Sequence, residues 1–245
     1  MSDETRPHRT AVVIPAAGRG VRLGPGAPKA LRMLSGTPIL VHAVRAMAAS
    51  RAVSLVVVVA PPDGAPEVKR LLDEHSLPER TDYVVVPGGE SRQESVRLGL
   101  EALSEGIDTV LVHDAARPLV PVDTVDSVVA AVREGAVAVV PALPLADTVK
   151  EVVPSPGGGP ERVVATPERA RLRAVQTPQG FDHATLVRAH REVAGAVTDD
   201  AGMVEALGLD VVVVPGHEEA FKVTRPLDLV LAEAVLARRR AHDGF

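Results

Sequence analysis

The sequence predicts an α/β protein built on one doubly wound, mostly parallel, Rossmann-like sheet with a protruding β-hairpin arm. Three observations predict this class: short β-branched runs recur along the 245 residues, amphipathic segments with helix-start signals separate them, and one polar tract interrupts the alternation. Strands that alternate with helices form right-handed βαβ units, which lie parallel in one sheet. A chain of this length has room for a sizeable core in one large domain.

The strands are predicted from apolar runs that are nearly continuous rather than alternating with polar residues. Such runs are typical of strands that are buried on both faces, as in a parallel sheet. They occupy residues 11–14, 53–60, 83–86, 109–112, 136–140 and 210–214.

Helix starts are predicted from capping residues between these runs. Thr37 precedes Pro38, which predicts a helix with a capping hydroxyl and a proline at its first position. Ser91 and Glu94 have the spacing of a capping box. Thr224 and Pro226 open a last helix. It ends in three arginines, which we interpret as cations that suit the helix dipole rather than as a nucleic-acid patch.

Residues 147–179 form a polar tract that breaks the strand–helix alternation and is rich in proline and glycine at 154–160. Its flanks, 148–153 and 162–165, are predicted to be two short strands joined by a flexible tip. Spacing alone leaves two interpretations open: a disordered surface loop, or an arm that packs on a partner subunit.

No internal repeat or long linker divides the chain. We therefore predict one domain over residues 10–240 that includes the arm. A disordered N-terminal tail at 1–9 and a short C-terminal tail at 241–245 flank it.

Composition excludes several function classes. Aromatic residues make up 2%, and the net charge is −5, so neither base stacking nor attraction to a polyanion is favoured and no nucleic-acid partner is expected. The absence of cysteine excludes disulfides, thiol nucleophiles and thiolate zinc sites. No apolar run approaches the roughly 20 residues of a membrane helix, and the N-terminus has no signal-like stretch. We predict a cytoplasmic protein without a membrane partner.

A glycine-rich segment at 15–31, PAAGRGVRLGPGAPKAL, follows the first predicted strand. Its glycines allow backbone N–H groups to approach an anion closely, and Arg22 and Lys29 add two cations beside them. Oriented amides and cations are what a triphosphate requires during transfer. The spacing is not that of a P-loop, and Leu23 stands where a dinucleotide fingerprint has its third glycine.

Four stretches together resemble one family. They are PAAGRGVRLGPGAPK, GGESRQESV at 88–96, VLVHDAARP at 110–118 and FKVTRPLDL at 221–229. The glycine segment alone resembles the sugar-nucleotidyltransferase superfamily. With the other three, the chain resembles the 2-C-methyl-D-erythritol 4-phosphate cytidylyltransferases over residues 10–238.

The resemblance implies a nucleotidyltransferase sheet and a reaction in which the methylerythritol phosphate attacks the α-phosphorus of CTP in line, without a covalent intermediate. Catalysis then consists of positioning and charge stabilisation, with Mg²⁺ on the triphosphate. The resemblance implies catalytic roles for Arg22, Lys29, Arg169 and Lys222. It implies CTP binding by Ala16, Ala17, Gly18, Gly20, Gly89, Glu90, Arg92, Ser95 and Asp114.

The resemblance also implies that Arg117, Thr148, Arg169, Thr177, Thr198 and Lys222 bind the methylerythritol phosphate. Thr148, Arg169 and Thr177 would come from the other subunit, which gives the polar tract a role and requires a homodimer. No firm metal ligand is implied, because the CTP phosphates mainly hold the Mg²⁺, although Asp114 is a candidate.

The position of HDAARP agrees with these roles. Asp114 follows a buried strand and therefore lies at the carboxyl end of the sheet, where open α/β folds bind ligands. His113, its neighbour, points to the opposite face and is expected in the core rather than as an acid–base partner. Asp199 and Asp200 are expected at a helix start.

Two positions depart from the family pattern. Glu90 stands where many relatives have aspartate, and Ala30 replaces a frequent glutamine. At 245 residues the chain is too short to include the cyclase domain that is fused to some relatives, so we interpret it as the monofunctional form.

Alternatives remain at this stage. A cytidylyltransferase for another polyol phosphate, such as ribitol 5-phosphate, would share most of these motifs. A nucleotide-binding protein without turnover would keep the fold, although it would have little need for so many cations near the phosphates. A dinucleotide-dependent oxidoreductase is excluded by the glycine spacing.

Overall fold

The computed structural model describes residues 9–18, 29–155, 157–195 and 197–242. Eight strands form the main sheet in the order β10-β7-β11-β6-β1-β4-β5, and β12 also pairs with β7. Their bounds are β1 Arg9–Pro15, β4 Val53–Ala60, β5 Asp82–Pro87, β6 Ile107–Val112, β7 Ala138–Pro144, β10 Arg173–Val175, β11 Gln179–Asp182 and β12 Val212–Pro215. Two small sheets pair β2 Met33–Leu34 with β3 Thr37–Pro38, and β8 Glu151–Val153 with β9 Arg162–Ala165.

The described ranges contain seven α-helices. They are α1 Ile39–Ala48, α2 Ala65–Asp73, α3 Arg92–Glu101, α4 Val122–Arg133, α5 His183–Glu192, α6 Asp200–Ala206 and α7 Pro226–His242. Short 3-10 turns occur at Lys29–Leu31, Arg169–Arg171 and Glu218–Ala220. None of these helices is long and apolar enough to span a bilayer.

The predicted doubly wound sheet is confirmed. β1 pairs in parallel with β4 and β6, and β4 pairs in parallel with β5, whereas β11 runs antiparallel between β6 and β7. Helices α1, α2 and α4 cover one face, and α3, α5 and α6 cover the other.

Burial on both faces explains the continuous apolar runs. In β1, Val12 and Ile14 pack with α1 and α4, whereas Ala11 and Val13 pack with the helices of the opposite face. All four are fully buried. Burial of such a valine or isoleucine contributes roughly 1.5–3 kcal/mol to folding, so a polar residue on either face would be costly.

The helix-start predictions differ in outcome. Ser91 caps α3 as predicted, with its hydroxyl accepting the Glu94 N–H at 3.0 Å, but the Glu94 carboxylate accepts from Glu90 instead of closing a reciprocal box. The prediction for Thr37 and Pro38 is wrong, because these residues form β3 and α1 begins one residue later without a side-chain cap.

The last helix begins at Pro226, as predicted, but Thr224 does not act as an acceptor cap. Its N–H and hydroxyl both donate to the Asp228 carboxylate, at 2.7 and 2.9 Å. Of the C-terminal arginines, Arg238 and Arg239 pair with Glu219, so they fix α7 to the preceding turn.

The polar tract contains the predicted hairpin. β8 and β9 pair with each other outside the main sheet, and every residue of both strands is exposed. The tract then returns to the main sheet through β10, which pairs with β7. Whether the hairpin contacts a second subunit stays a prediction.

Candidate active site

A cleft of about 210 Å³ opens where the loops after β1, β5 and β6 meet at the carboxyl edge of the sheet. This is the edge at which open α/β sheets bind ligands. We call it the glycine cleft; it is lined by Pro15, Ala17, Gly18, Gly89, Glu90, Ser91, Arg92, Ser95 and Asp114.

The loop that joins β5 to α3 is held by side chains of α3. Ser95 is buried, and its hydroxyl donates to the Ser91 carbonyl at 2.9 Å and accepts the Gly89 N–H at 3.2 Å. The Glu94 carboxylate accepts the Glu90 N–H at 2.8 Å. Ser95 therefore shapes the wall of the cleft, because both of its hydrogen-bonding directions are used within the loop.

Gly88 allows this loop to lie against the sheet. A Cβ at position 88 would lie 2.9 Å from Ser95 Oγ and 3.0 Å from the Ala60 carbonyl oxygen. Both distances are shorter than ordinary contacts, so a larger residue would displace the loop and with it the cleft wall.

A second pocket of about 220 Å³ adjoins the glycine cleft and shares Arg92 and Asp114 with it. We call it the lysine pocket. Its lining also includes Arg117, Val175, Gln176, Thr177, Gln179, Thr198, Asp199 and Lys222. Residues that are distant in sequence, from α3 to the segment before α7, thus surround one volume.

Asp114 lies at the boundary of the two pockets and has three cationic neighbours. Its Oδ2 is 2.8 Å from Lys222 Nζ and 3.7 Å from Arg117 Nε, and its Oδ1 is 3.9 Å from Arg92 Nε. Burial by itself would raise the pKa of Asp114, but Lys222 and the two arginines hold that pKa below its ordinary value. The side chain is therefore a carboxylate that neutralises part of a cationic cluster.

His113 fixes the turn that carries Asp114. The Thr177 hydroxyl accepts the Asp114 N–H at 3.0 Å, so its proton is free to be donated to His113 Nδ1, also at 3.0 Å. His113 Nε2 then donates to the Arg117 carbonyl at 3.1 Å. Burial lowers the pKa of His113 to about 4, which keeps the ring neutral. The expectation that His113 lies in the core is confirmed.

Backbone carbonyls accept hydrogen bonds from the Arg117 guanidinium. Its two terminal nitrogens donate to the Ala220 carbonyl at 2.7 Å and the Val175 carbonyl at 3.3 Å. Burial lowers the pKa of Arg117, although nearby Asp114 favours the charged form. Arg117 therefore joins the HDAARP turn to β10 and to the turn before Lys222, in addition to lining the pocket.

The structure brings most of the predicted site residues together. The glycine cleft contains Ala17, Gly18, Gly89, Glu90, Arg92, Ser95 and Asp114, and the lysine pocket contains Arg117, Thr177, Thr198 and Lys222. Ala16 lines neither, because it is buried and its N–H donates to the Val59 carbonyl at 2.8 Å. Gly20, Arg22 and the side chain of Lys29 lie outside the described residues.

Thr148 and Arg169, both on the polar tract, line neither pocket of their own chain. The expectation that Thr177 serves the other subunit is wrong for this pocket, because its hydroxyl is hydrogen-bonded to Asp114 and His113 and the residue lines the lysine pocket of its own chain. Arg169 is on the 3-10 turn after β9 and donates to the Ala146 carbonyl at the base of the arm.

Sequence reasoning missed two buried glutamines that line the lysine pocket and have a clear structural role. The side-chain amide of Gln176 donates to the His217 carbonyl at 2.9 Å and accepts the His217 N–H at 3.0 Å. Gln179 is buried, its Nε2 donates to the Asp199 carboxylate at 2.7 Å, and its Oε1 accepts the Ala201 N–H at 3.2 Å. It therefore holds the segment that contains Thr198 and Asp199. No signal in the sequence identified Gln179, because it ends the predicted polar tract and its burial in β11 follows from the fold.

Comparison with known proteins shows which family the chain belongs to. A family model described as 2-C-methyl-D-erythritol 4-phosphate cytidylyltransferase matches residues 10–238. The chain belongs to this family. A cytidylyltransferase of that name from Streptomyces avermitilis is 80% identical over 250 residues, with 100% of each chain covered. Another, from Frankia casuarinae, is 54% identical over 230 residues, covering 94% of this chain and 82% of the relative.

Solved structures of these cytidylyltransferases share the fold. The enzyme of that name from Thermus thermophilus has a TM-score of 0.68 and 38% identity, and the match covers 91% of this chain and 97% of that one. The 4-diphosphocytidyl-2C-methyl-D-erythritol synthase from Anaerococcus prevotii has a TM-score of 0.78 and 26% identity, covering 94% and 99%.

Proposed function

We propose that the chain transfers CMP from CTP to 2-C-methyl-D-erythritol 4-phosphate. The products are 4-diphosphocytidyl-2-C-methyl-D-erythritol and pyrophosphate, and the reaction belongs to the non-mevalonate route of isoprenoid biosynthesis, in the cytoplasm. Family membership supports the substrates. The observation that carries the proposal is that two adjacent pockets share Arg92 and Asp114, so that two bound ligands would meet there.

The glycine cleft is proposed to take the cytidine end of CTP. Its walls are mainly backbone of the loops after β1 and β5, and main-chain N–H and C=O groups can read a pyrimidine edge. Arg92 and the glycine-rich segment with Arg22 and Lys29 would bind the triphosphate, because cations and oriented amides stabilise its charge.

The lysine pocket is proposed to take the methylerythritol phosphate. Lys222 and Arg117 supply cations, and Thr177 and Thr198 supply neutral groups. A substrate phosphate oxygen would attack the α-phosphorus of CTP. A new P–O bond forms, the bond from the α-phosphorus to the bridging oxygen breaks, and pyrophosphate leaves with that electron pair. The nucleophile is already an anion, so the step requires no strong base.

The side chains around the pockets support direct transfer. The sequence contains no cysteine. The hydroxyls of Ser95 and Thr177 both donate to acceptors of the protein, the Ser91 carbonyl and His113 Nδ1. His113 itself is fully buried with both nitrogens bonded. These groups are buried and hydrogen-bonded within the pocket walls, and direct attack by the substrate phosphate requires none of them as a nucleophile.

Magnesium is proposed as the divalent cofactor, and the residues at the pocket boundary fit it. Protein-bound Mg²⁺ commonly uses one or two carboxylates together with substrate phosphates. Asp114 and Glu90 both line the glycine cleft, whereas the described residues contain no cluster of three or more His, Asp or Glu that would hold a metal alone. The ion, when bound to the triphosphate, would neutralise charge there, and Asp114 would be its carboxylate ligand.

We further propose that the protein is a homodimer in which the arm completes the partner's lysine pocket. Thr148 and Arg169 lie outside the pockets of their own chain, as this requires. The hairpin also exposes Val152, Val153, Val163 and Val164, which a partner subunit would cover.

The proposed activity is tested by pyrophosphate release from CTP with a panel of polyol phosphates. The expected result is turnover with methylerythritol 4-phosphate that exceeds turnover with ribitol 5-phosphate, erythritol 4-phosphate and no acceptor. A preference for ribitol 5-phosphate would replace the proposed acceptor, and CTP binding without any release would contradict the assignment as an enzyme.

A further inference from the structure

A buried carboxylate pairs with Arg92, which lines both pockets, but the proposed reaction assigns that carboxylate no role. Asp200 is the first residue of α6, and its side chain is 1% exposed. A buried carboxylate is costly unless it is paired. The helix is capped by its neighbour Asp199, which accepts the Gly202 N–H at 2.9 Å, so capping does not account for Asp200.

Two side chains from other helices pair with Asp200. An Arg92 guanidinium nitrogen lies 2.7 Å from Oδ2, and His190 Nε2 lies 3.0 Å from Oδ1. His190 is on α5, and its side chain is 2% exposed. Because a carboxylate only accepts, Nε2 must carry the proton that faces Asp200. Burial would raise the pKa of Asp200, but His190 and Arg92 hold that pKa below its ordinary value.

Arg92 is thereby placed between two carboxylates. It is the first residue of α3, it lines both pockets, and its Nε is 3.9 Å from Asp114 Oδ1. The contact with Asp200 is more than 1 Å shorter. Asp200 therefore holds the Arg92 guanidinium closer to itself than to Asp114. Lys222 remains the closest cation to Asp114, at 2.8 Å.

From this arrangement we propose that Asp200 and His190 are positioning residues for the transfer reaction: His190 orients the Asp200 carboxylate, and Asp200 holds the Arg92 guanidinium between the two pockets. This inference rests on the proposed function. Without Asp200, Arg92 would move toward Asp114 and compete with Lys222, so that one cation would no longer face the nucleotide phosphates.

The test is a double-mutant cycle on kcat/KM for CTP, at saturating methylerythritol 4-phosphate. Asp200→Asn keeps the shape of the side chain and removes its charge; it is expected to lower kcat/KM about tenfold, within the range of direct couplings between contacting residues. In an Arg92→Met background the same substitution is expected to change kcat/KM less than about twofold, because the group it positions is gone.

Additive effects would contradict the proposal, since a general structural defect would lower activity by the same factor in both backgrounds. Unchanged kcat/KM in Asp200→Asn alone would contradict it equally. Wild-type turnover is measured first, so that a failure of the proposed function is separate from a failure of this inference.

Two further variants distinguish the positioning role from misfolding and from a general effect of removing a charge. His190→Leu removes the donor and leaves the carboxylate, and it should give a smaller loss that also disappears in the Arg92→Met background; a loss that persists there would contradict the positioning role. Glu101→Gln, the matched control, removes a surface partner of Arg97 on α3 and is expected to leave kcat/KM unchanged. A comparable loss in Glu101→Gln would show that any charge removed near α3 has this effect, and would overturn the proposal.

Discussion

At the scale of single residues, the site depends on how the charge of Asp114 is shared. Three cations face this carboxylate, and Lys222 is the nearest at 2.8 Å. Arg117 is held by backbone carbonyls, and Arg92 is held by Asp200. Lys222 is 40% exposed and is therefore the cation with the most freedom to exchange Asp114 for a bound phosphate.

Replacing Lys222 tests this role. Lys222→Met keeps the aliphatic stem and removes the charge, so the incoming phosphate loses a partner in the transition state. Turnover is expected to fall roughly 10²-fold, as when a charge-stabilising donor is removed. Steady-state kinetics with both substrates measure it. Lys69→Met, at a surface lysine paired with Asp73, is the control and should retain turnover. Equal turnover in both variants would remove Lys222 from the chemistry.

His113 gives a pH-dependent prediction. Burial lowers its pKa from 6.5 to about 4, so between these values the unfolded chain binds a proton that the folded chain does not. The contribution of His113 to stability is therefore complete above pH 6.5 and is lost as the pH falls toward 4, by roughly 2 kcal/mol between pH 7.5 and 5.

Urea unfolding at these two pH values measures the effect. In His113→Gln, which has no titrating ring, the free energy of unfolding should fall about 2 kcal/mol less over the same interval. The variant should also be less stable at pH 7.5, because it loses at least one bond of the Thr177–His113–Arg117 chain. An identical pH dependence in both proteins would exclude His113 as the cause.

Residue roles could be predicted from sequence where neighbours along the chain act together. HDAARP predicted both Asp114 at the sheet edge and a buried His113. The partners of Asp200 could not be predicted, since His190 is ten residues away and Arg92 more than a hundred, and no local spacing relates them. Their contact depends on how α3, α5 and α6 pack on one face of the sheet.

At the scale of elements, burial on both faces determined what could be predicted. The apolar runs located the parallel strands, and the central strands β1, β4 and β6 are covered by helices on both sides. In β5 and β12 the runs predicted the strands but not their burial, because Val84, Val212 and Val213 are exposed. Short elements were harder. Thr37 and Pro38 satisfy a helix-start pattern, but pairing with Met33 and Leu34 places them in a strand. A tertiary contact thus outweighed a local signal.

Gly99 controls how closely α3 approaches the sheet. A Cβ at this position would lie 2.5 Å from Val13 Cγ1 and 2.9 Å from Val59 Cγ2. Gly99→Ala would gain up to about 1 kcal/mol of helix propensity, but crowding of a packed core costs about 1–3 kcal/mol. We therefore expect net destabilisation, and a higher KM for CTP because α3 carries Arg92 and Ser95.

Urea unfolding and CTP kinetics measure both effects. The control is Gly64→Ala, where the added Cβ would lie at an ordinary 3.4 Å from Pro61. A Gly99→Ala protein as stable as the wild type, with an unchanged KM, would show that α3 has room to shift without affecting the cleft.

At the scale of the whole molecule, the proposed site requires two chains. The lysine pocket is built within one chain, whereas Arg169 lies on the arm outside it. The sequence predicted the hairpin from its turn residues. It could not predict the surface that the hairpin is proposed to contact, because that surface would belong to a second copy of the chain.

Subunit mixing tests the shared site. Arg169→Ala and Lys222→Ala should each be nearly inactive alone. A mixed dimer has one intact site, formed by Lys222 of one subunit and Arg169 of the other. Random mixing should restore about a quarter of wild-type activity, since half of the dimers are mixed and each has one working site of two. No recovery, with subunit exchange verified by mass spectrometry, would argue against the arm acting in trans.

The central claim is that CTP and the acceptor phosphate meet at the boundary marked by Arg92 and Asp114 and react there directly. Rapid-quench single turnover with CTP labelled at the α-phosphate tests it. The label should pass to 4-diphosphocytidyl-methylerythritol only when methylerythritol 4-phosphate is present, and none should be found on the protein at any time. Labelled protein that forms and decays on the way to product, or the absence of any labelled product, would contradict the account.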